Sequence, residues 1–267
     1  MLRPRIIPCL LVRKKGLIKT FNFTTSKYLG DPINAVRIFN EKEADELIVL
    51  DIDATKEGSQ PDFSLIKRLA AECRMPLCYG GGIKTVGDAK KIIALGVEKI
   101  AISSAALERF EFIAELAAEI GSQSIVVVLD VKKNLFGGYA IYTHNGTKKI
   151  KLDLNDAVLM VEKFGAGEIL INSISLDGQM CGYDLELARQ IRGVAKIPIT
   201  IMGGAGSLED ISLLISVCGC VGAAAGSLFV FKGPHRAVLI NYPNPELREA
   251  LIHKSLKIEI GRKKVAY

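Results

Sequence analysis

The chain has 267 residues, of which 49% are hydrophobic, and this is enough for one large core or two small domains. No apolar run approaches the roughly 20 residues of a membrane-spanning helix, and the apolar stretch at the N-terminus is too short for a signal peptide. These observations predict a cytoplasmic protein without membrane association. The formal net charge of +6 suits an anionic small-molecule ligand as well as nucleic acid.

Cysteine and histidine usage argues against a metal site. The six cysteines are scattered without metal-type spacing, and there are only three histidines. We therefore predict buried, reduced thiols, with no metal and no cofactor. Basic residues gather in His253–Lys264 without interleaved aromatic residues, which favours a solvated basic tail at residues 253–267 over a nucleic-acid-binding segment.

Eight apolar runs alternate with eight helical patterns along the chain. The predicted strands are Ile6–Leu11, Leu47–Ile52, Pro76–Tyr79, Lys99–Ile102, Ser124–Val131, Glu168–Asn172, Pro198–Met202 and Cys220–Ala225. The predicted helices are Asn34–Ala44, Phe63–Cys73, Val86–Leu95, Glu108–Ile120, Asp153–Phe164, Leu185–Gly193, Leu208–Val217 and Pro234–Ile240. Apolar runs without polar alternation are typical of parallel strands buried on both faces. Eight such units in about 250 residues predict an α/β fold, a (βα)8 TIM barrel, with residues 1–252 as its single domain.

The two halves of the chain also resemble each other. The glycine pair at 81–82 recurs at 203–204, an offset of 122 residues, and further short motifs recur at the same offset. The first strand aligns at a slightly smaller offset, which places Leu11 in the position of Asp130. The pattern predicts a two-fold half-barrel repeat of four βα units. A doubly wound open sheet is the alternative, but it would not predict this symmetry.

Small residues follow four predicted strands at the end where TIM barrels build active sites. Glycine lets backbone N–H groups approach an anion, and a following helix adds a favourable dipole. Glycine also serves tight turns, but two matched sets predict two phosphate sites on opposite sides of the barrel mouth. Their residues are Gly81, Gly82, Ser103 and Ser104 in one half, and Gly203, Gly204, Gly226 and Ser227 in the other.

Carboxylates at strand ends are the candidates for acid–base chemistry, namely Asp51, Asp53, Asp130 and Asp177. Asp130 directly follows five apolar residues, and a charge in that place belongs at a barrel mouth. For Asp53 and Asp177, a helix cap or a supporting hydrogen bond is the alternative. Lys19, in the long loop after the first strand, is either a ligand for phosphate or carboxylate or a solvated side chain.

Four charged residues stand near the amino ends of strands: Arg5, Glu46, Lys99 and Glu168. These strand ends converge at the barrel bottom, where two cations and two anions can close an ion-pair ring. A salt-bridge plug that seals the barrel is the default interpretation. A functional role is the alternative, because buried ion pairs are weak evidence for stability.

Over roughly residues 1–252 the chain resembles the cyclase subunit of imidazole glycerol phosphate synthase. The resemblance rests on RIIPCL, ADEL, GGGI, GSQ, YTHNG, GAGEI, DG…GYDLEL and GGAGSLED. It implies two phosphate sites for a phosphorylated substrate, a glutaminase subunit docked on the barrel bottom, and passage of ammonia through the barrel. By this resemblance the four ring residues form the ammonia gate, and Glu98 and Gln123 contact the glutaminase.

The catalytic site is incomplete by comparison with this family. We assign Asp130, Lys19 and Asp177 to it, but the family uses a second aspartate where this chain has Leu11. Leucine can neither transfer a proton nor bind a cation. Loss of an acid–base group typically costs ~10²–10⁴ in rate, so a dedicated cyclase with this change would be poor. The family also usually has an aspartate at Ser175.

Segments such as LIVLDIDAT, VEKIAISSAAL and GAAAGSLFVFKGPHRAVLINYP resemble a divergent branch of the family found with bacterial surface-polysaccharide genes. That resemblance implies nitrogen supply for acetamidino groups on N-acetylated sugars, with a glutaminase-like subunit and an N-acetyl sugar amidotransferase as partners. Three functions stay open at this point. They are ammonia channelling for sugar amidation, the cyclase reaction of histidine biosynthesis, and a non-catalytic scaffold that activates a glutaminase.

Overall fold

The computed structural model describes residues 3–134 and 137–265, and its strands close into a barrel. The strands are β1 (Arg5–Arg13), β2 (Gly16–Phe21), β3 (Thr25–Gly30), β4 (Leu47–Asp51), β5 (Leu77–Gly80), β6 (Lys99–Ile102), β7 (Ile125–Lys133), β8 (Tyr139–Thr143), β9 (Lys148–Lys149), β10 (Glu168–Ser173), β11 (Ile199–Met202), β12 (Gly222–Ala225), β13 (Phe231–Lys232) and β14 (Ala237–Val238). Parallel pairing runs in the order β10-β11-β12-β1-β4-β5-β6-β7. A further parallel pairing of β7 with β10 closes the ring. The predicted (βα)8 barrel is confirmed, and the open sheet is excluded.

Helices surround the barrel. They are α1 (Pro32–Glu41), α2 (Ala54–Glu57), α3 (Phe63–Glu72), α4 (Val86–Ala94), α5 (Ser104–Glu108), α6 (Glu111–Ile120), α7 (Leu154–Lys163), α8 (Leu185–Val194), α9 (Leu208–Cys218), α10 (Ser227–Val230) and α11 (Pro245–Val265). Short 3-10 turns cover Ser122–Ser124 and Ile174–Leu176. Within the described residues, no helix combines the length and apolar character needed to cross a membrane.

The half-barrel repeat is visible in how two corresponding helices begin. Thr85 caps α4 and forms a reciprocal capping box with Asp88. Ser207 does the same for α9 with Asp210. Each box satisfies backbone N–H groups that the first helical turn leaves unpaired. Both helices follow a glycine-rich loop, so the same local chemistry positions both loops at the barrel mouth.

Alternation along the strands divides the apolar residues into two layers. On β10, Ile169 and Ile171 belong to the large core between barrel and helices, whereas Leu170 points to the barrel axis. The axial layer comprises Ile7, Cys9, Leu11, Ile18, Ile48, Cys78, Ala101, Val126, Val128, Leu170, Met202 and Ala224. The barrel interior is therefore apolar between its two ends, and several of its side chains are small.

Two hairpins extend the barrel at matching places. β1 continues into an antiparallel hairpin with β2, which itself pairs with β3. β7 continues into an antiparallel pairing with β8. Lys19, predicted in a loop, therefore lies on β2. The correction has a functional consequence, since strand pairing fixes the direction of its side chain.

The helix predicted at Pro234–Ile240 is wrong. That segment forms the turn and second strand of the β13–β14 hairpin. Gly233 and Arg236 have left-handed backbone there, with φ values of 73° and 49°, and a helix cannot include such residues. The last helix begins later, where the Asn244 side chain accepts a hydrogen bond from the Leu247 N–H at 2.9 Å.

The boundary predicted at residue 252 falls inside α11. Ser255 is buried, and its Oγ lies 2.8 Å from Ser212 Oγ on α9. The first turn beyond residue 252 therefore packs on the barrel instead of standing in solvent. The predicted helix Glu108–Ile120 is also interrupted, because Arg109 is extended between α5 and α6.

Candidate functional site

A solvent-open pocket lies at the carboxyl ends of the barrel strands. It brings together all the residues assigned to the catalytic site and to the two phosphate sites. These are Asp130, Lys19, Asp177, Gly81, Gly82, Ser103, Ser104, Gly203, Gly204, Gly226 and Ser227. Parallel strands end at the same edge of a barrel, so residues from both halves of the chain meet there. Their shared location supports the predicted roles, which stay predictions.

Asp130 lies partly exposed in the pocket beside Asn172. The two residues are direct partners in the β7–β10 register, and Asn172 Nδ2 donates to Asp130 Oδ1 at 2.8 Å. Burial raises the pKa of Asp130 to about 6, although the hydrogen bond from Asn172 acts in the opposite direction. A carboxyl group that titrates near neutrality can both accept and return a proton, as acid–base chemistry requires.

Replacement of Asp130 by asparagine should stabilise the fold at neutral pH. A raised folded-state pKa means that stability is lost as pH climbs from the ordinary value of 3.8 to about 6. The charged carboxylate then costs up to about 3 kcal/mol, an upper bound because the group faces solvent. Urea unfolding should show a later midpoint for Asp130→Asn at pH 7.5 and no difference near pH 3.5. An equal gain at both pH values would contradict the electrostatic explanation.

Lys19 and Asp177 form a buried ion pair in the pocket wall. Lys19 is only 4% exposed, so the solvated alternative is wrong. Its Nζ donates to Asp177 Oδ1 at 2.6 Å and to the Thr20 carbonyl at 2.9 Å. Thr20 Oγ1 donates to the second Asp177 oxygen at 2.7 Å. Asp177 thus holds the Lys19 ammonium group in the pocket wall, and the predicted role of Lys19 in ligand binding stays a prediction.

Leu11 faces Asp130 across the barrel. β1 and β7 are separated by three strands in either direction around the ring, and both residues line the pocket. Leu11 is 8% exposed and belongs to the apolar axial layer. One side of the pocket therefore carries a titratable carboxyl group, while the equivalent position on the other side is apolar.

The loops predicted to bind phosphate have two features of an anion site. The backbone packs too closely for a side chain at a glycine, and two serine hydroxyl groups lack partners among the described residues. Gly81 has φ 122°, and a Cβ there would lie 2.4 Å from the Asp51 carbonyl oxygen, so the loop needs glycine. Ser103 is the N-cap residue of α5, and Ser227 is the first residue of α10, the corresponding helix of the other half. The hydroxyl groups of both are buried, and no partner for them exists among the described residues. A phosphate oxygen at each loop would accept these donors.

The two aspartates at the carboxyl end of β4 have structural partners. Asp51 Oδ1 accepts the backbone N–H groups of Asp53 and Ala54, each at 3.2 Å, and burial raises its pKa. The Asp53 carboxylate binds Arg13, at 2.7 Å from Nε and 3.2 Å from Nη2. Asp53 therefore joins the end of β1 to the loop after β4. This partnership favours the alternative given for Asp53, a supporting interaction.

The ion-pair ring predicted at the barrel bottom is present. Lys99 Nζ lies 2.9 Å from a carboxylate oxygen of Glu46 and 2.9 Å from one of Glu168. Arg5 contacts both glutamates, with 2.7 Å from Nη2 to Glu168. Thr200 Oγ1 donates to Glu168 at 2.5 Å. Burial opposes ionisation of Glu168, but Arg5 and Lys99 outweigh it and lower its pKa to about 2.

Glu98 and Gln123 lie at the same end of the barrel as this ring. Glu98 immediately precedes β6, is exposed, and accepts the Leu77 N–H at 2.7 Å. Gln123 lies in the exposed turn before β7. Both are therefore accessible to a partner protein on the bottom face. Contact with a glutaminase stays a prediction.

Sequence reasoning missed three functional candidates: Asn172 beside Asp130, Thr20 beside Asp177, and Thr200 beside Glu168. Asn172 carried a usable signal, because it is a polar residue at the carboxyl end of an apolar run. The two threonines carried none, since β-branched residues are ordinary in strands.

Taken together, the fold and its two ends define a (βα)8 barrel with a polar pocket at its mouth and an ion-pair ring at its bottom. Residues 5–235 match the model of the family described as "Histidine biosynthesis protein", and the chain belongs to this family. The names of individual relatives confirm the predicted resemblance to the imidazole glycerol phosphate synthase subunit, but not the resemblance to the divergent branch.

Individual relatives cover nearly the whole chain. A Leptospira borgpetersenii protein named "Putative imidazole glycerol phosphate synthase subunit HisF" is 57% identical over 252 residues, which are 94% of this chain and 99% of that protein. A Pseudomonas aeruginosa protein named "Putative imidazole glycerol phosphate synthase subunit hisF2" is 50% identical, covering 91% and 97% of the two chains. The "Imidazole glycerol phosphate synthase subunit HisF" of Alkaliphilus metalliredigens is 39% identical, covering 87% and 92%.

Proposed function

We propose that this chain is a synthase subunit that receives ammonia from a partner glutaminase and channels it through the barrel for sugar amidation. The ammonia would enter at the ion-pair ring and leave at the mouth pocket. There it would serve the formation of an acetamidino group on an N-acetyl sugar of a bacterial surface polysaccharide. An N-acetyl sugar amidotransferase is the proposed second partner, and an anionic, phosphorylated small molecule is the proposed occupant of the phosphate loops.

One observation carries this proposal. The ion-pair ring at the barrel bottom is complete, whereas at the barrel mouth the residue opposite Asp130 is Leu11. The ring keeps both cations and both anions in mutual contact. The mouth has an apolar side chain where a second acid–base group would be needed for cyclisation. A protein that retains an entrance for ammonia but lacks half of the acid–base pair is better suited to deliver ammonia than to cyclise a substrate.

The interior between the two ends supports passage of a small neutral molecule. Its lining is apolar, and Ala101, Ala224 and Cys78 are small among the axial residues. Ammonium would be opposed there by the cost of moving a charge out of water. Neutral ammonia, which has no such cost, is the species that the interior would admit.

Reconstitution is the direct test of this function. The barrel, its glutaminase and the amidotransferase would be mixed with glutamine and a nucleotide-linked N-acetyl sugar. Mass spectrometry should detect the amidine only in the complete mixture. Equal amidine formation without the barrel would contradict the proposal.

Isotope competition tests the path that the nitrogen takes. With [15N-amide]glutamine and excess unlabelled ammonium, the wild-type product should carry mostly 15N. Lys99→Ala opens the ring, so the product label should fall toward the isotope ratio of free ammonia. Lys90→Ala is the matched control, because Lys90 forms an exposed pair with Glu119 on the outer surface. Undiminished label with both Lys99→Ala and Glu46→Ala would show that the ring is no gate.

The same experiment separates a channel from a scaffold. A scaffold would stimulate glutamine hydrolysis, but ring variants would leave the product label unchanged. Glutamine hydrolysis measured alongside the label, with and without the barrel, therefore identifies that outcome. The measurement also shows whether a ring variant has merely impaired glutaminase docking.

The cyclase reaction of imidazole glycerol phosphate synthase is the second candidate function. The names of the relatives favour it, and so does the retention of Asp130, Lys19 and Asp177 around one pocket. It requires another group to replace the acid–base function lost at Leu11. Complementation of a histidine auxotroph that lacks the cyclase decides between the two candidates, because robust growth with the wild-type chain would favour the cyclase.

A further inference from the structure

A threonine hydroxyl group reaches the ion-pair ring from the barrel wall. Thr200 lies on β11, two residues before Met202 of the axial layer, so its side chain also faces the barrel axis. The residue is fully buried, and its Oγ1 donates to Glu168 Oε1 at 2.5 Å. The same oxygen accepts a hydrogen bond from Arg5 Nη2 at 2.7 Å. Thr200 is therefore a neutral donor within a ring that otherwise consists of charged side chains.

A glycine on the next strand makes room for this hydroxyl group. Gly222 begins β12, and in the sheet register it lies between Thr200 on β11 and Arg5 on β1. A Cβ at Gly222 would lie 1.9 Å from Thr200 Oγ1, a distance that a real side chain could not adopt. Gly222 does not have left-handed backbone, so space and not conformation requires glycine there. Glycine in a strand marks such a close approach.

The two carboxylates of the ring are held in different ways. Within residues 3–134 and 137–265, Glu46 accepts side-chain hydrogen bonds only from Arg5 and Lys99. Glu168 accepts from the same two cations and also from Thr200. A threonine side chain is short and β-branched, and it has few rotamers. Glu168 is thus tied to the barrel wall, whereas Glu46 is tied to two long cationic side chains.

We propose that Thr200 is a positioning residue of the ammonia gate, which holds Glu168 Oε1 at the barrel wall and thereby directs Oε2 to Lys99. The inference deepens the proposed function and rests on it for the passage of ammonia. The Lys99 Nζ lies 2.9 Å from Glu168 Oε2. Without the hydroxyl group, the carboxylate can turn about its own side chain, and its contact with Lys99 is no longer fixed. The ring then closes less often, and ammonia from solution can enter.

Two substitutions at Thr200 separate the hydrogen bond from packing. Thr200→Val keeps the volume and removes the hydroxyl group, whereas Thr200→Ser keeps the hydroxyl group and removes a methyl group. In the isotope competition, Thr200→Val should raise the ratio of unlabelled to labelled product about tenfold, the equivalent of one hydrogen bond to a charged group. Thr200→Ser should stay near wild type. Ser216→Ala is the control, because it removes a buried hydroxyl group on α9, outside the barrel.

The order of the two variants decides the outcome. A higher unlabelled share with Thr200→Ser but not with Thr200→Val would assign Thr200 to packing and overturn the proposal. A normal label with Thr200→Val, together with a reduced label with Lys99→Ala, would remove Thr200 from the gate and leave the proposed function intact. A normal label in all these variants would overturn both.

Titration of Glu168 tests the same contact without glutaminase or acceptor. Burial opposes ionisation of this carboxyl group, but Arg5, Lys99 and Thr200 favour it, and its pKa is about 2. With 13C-labelled glutamate carboxyl groups, and with Glu168→Gln to assign the signal, Thr200→Val should raise the pKa to about 3, because a donor to the carboxylate is lost. Thr200→Ser should retain the wild-type value. An unchanged pKa in Thr200→Val would show that the hydroxyl group does not hold Glu168.

Discussion

Replacement of Glu168 by alanine should lower the free energy of unfolding by about 3–5 kcal/mol, the range for breaking a buried ion pair. Glu168 accepts hydrogen bonds from Arg5, Lys99 and Thr200 at the barrel bottom. Without its carboxylate, two largely buried cations share Glu46 alone. Urea unfolding of the isolated barrel at pH 7 measures the loss. Glu119→Ala, which breaks an exposed pair with Lys90, should leave the midpoint nearly unchanged.

The loss at Glu168 should depend on pH in one direction. Its folded-state pKa is about 2, below the ordinary value of 4.5. The stabilisation by the carboxylate is therefore complete above pH 4.5 and disappears as pH falls toward 2. Wild type and Glu168→Ala should converge in acid. A difference that stayed constant from pH 7 to pH 3 would show that lost packing, and not charge pairing, dominates.

The barrel itself was predictable because the sequence pattern of a buried strand recurs eight times along the chain. Each of the eight strands is a short apolar run, and each observed barrel strand overlaps its prediction. Errors of one or two residues at the ends did not matter, since strand order follows from alternation with helices. The offset of 122 residues added an independent constraint that favoured a closed barrel over an open sheet.

The errors arose where local pattern and tertiary packing differ. Pro234–Ile240 contains helix-compatible residues, but it follows Gly233, and the turn there uses left-handed backbone. The final helix spans Pro245–Val265. Its second half is rich in basic residues, and for that reason the sequence predicted a solvated tail there. Packing of α11 on α9 around Ser212 and Ser255 is a long-range contact that residue periodicity does not encode.

The site was predictable in outline but not in its pairings. Strand ends placed Asp130 at the mouth and Glu168 at the bottom, because barrel topology assigns each end a face. The pairing of Lys19 with Asp177 joins residues 158 positions apart, and only the folded register brings them together. Asn172 and Thr200 acquire their significance in the same way, from a neighbour on the adjacent strand.

Leu11 is the residue whose replacement should change activity most. Under the proposed function, the wild-type chain should fail to support growth of a histidine auxotroph lacking the cyclase. Leu11→Asp places a carboxyl group across the barrel from Asp130 and supplies the missing acid–base partner. Cyclase activity should then rise by about 10²–10⁴, the usual contribution of such a group. Growth on ammonium-rich medium, which avoids the need for a glutaminase, is the measurement.

Leu11→Asn separates chemistry from shape in this test. Asparagine has nearly the same size as aspartate and also places a polar group in the apolar wall around Leu11, but it cannot transfer a proton. It therefore keeps the shape and polarity of Leu11→Asp without the charge, and it should give no growth. Equal growth with both variants would show that polarity at position 11, and not acid–base capacity, was missing. Robust growth with the wild-type chain would instead establish cyclisation with Asp130 and a substitute acid, and would remove the main argument for a dedicated ammonia channel.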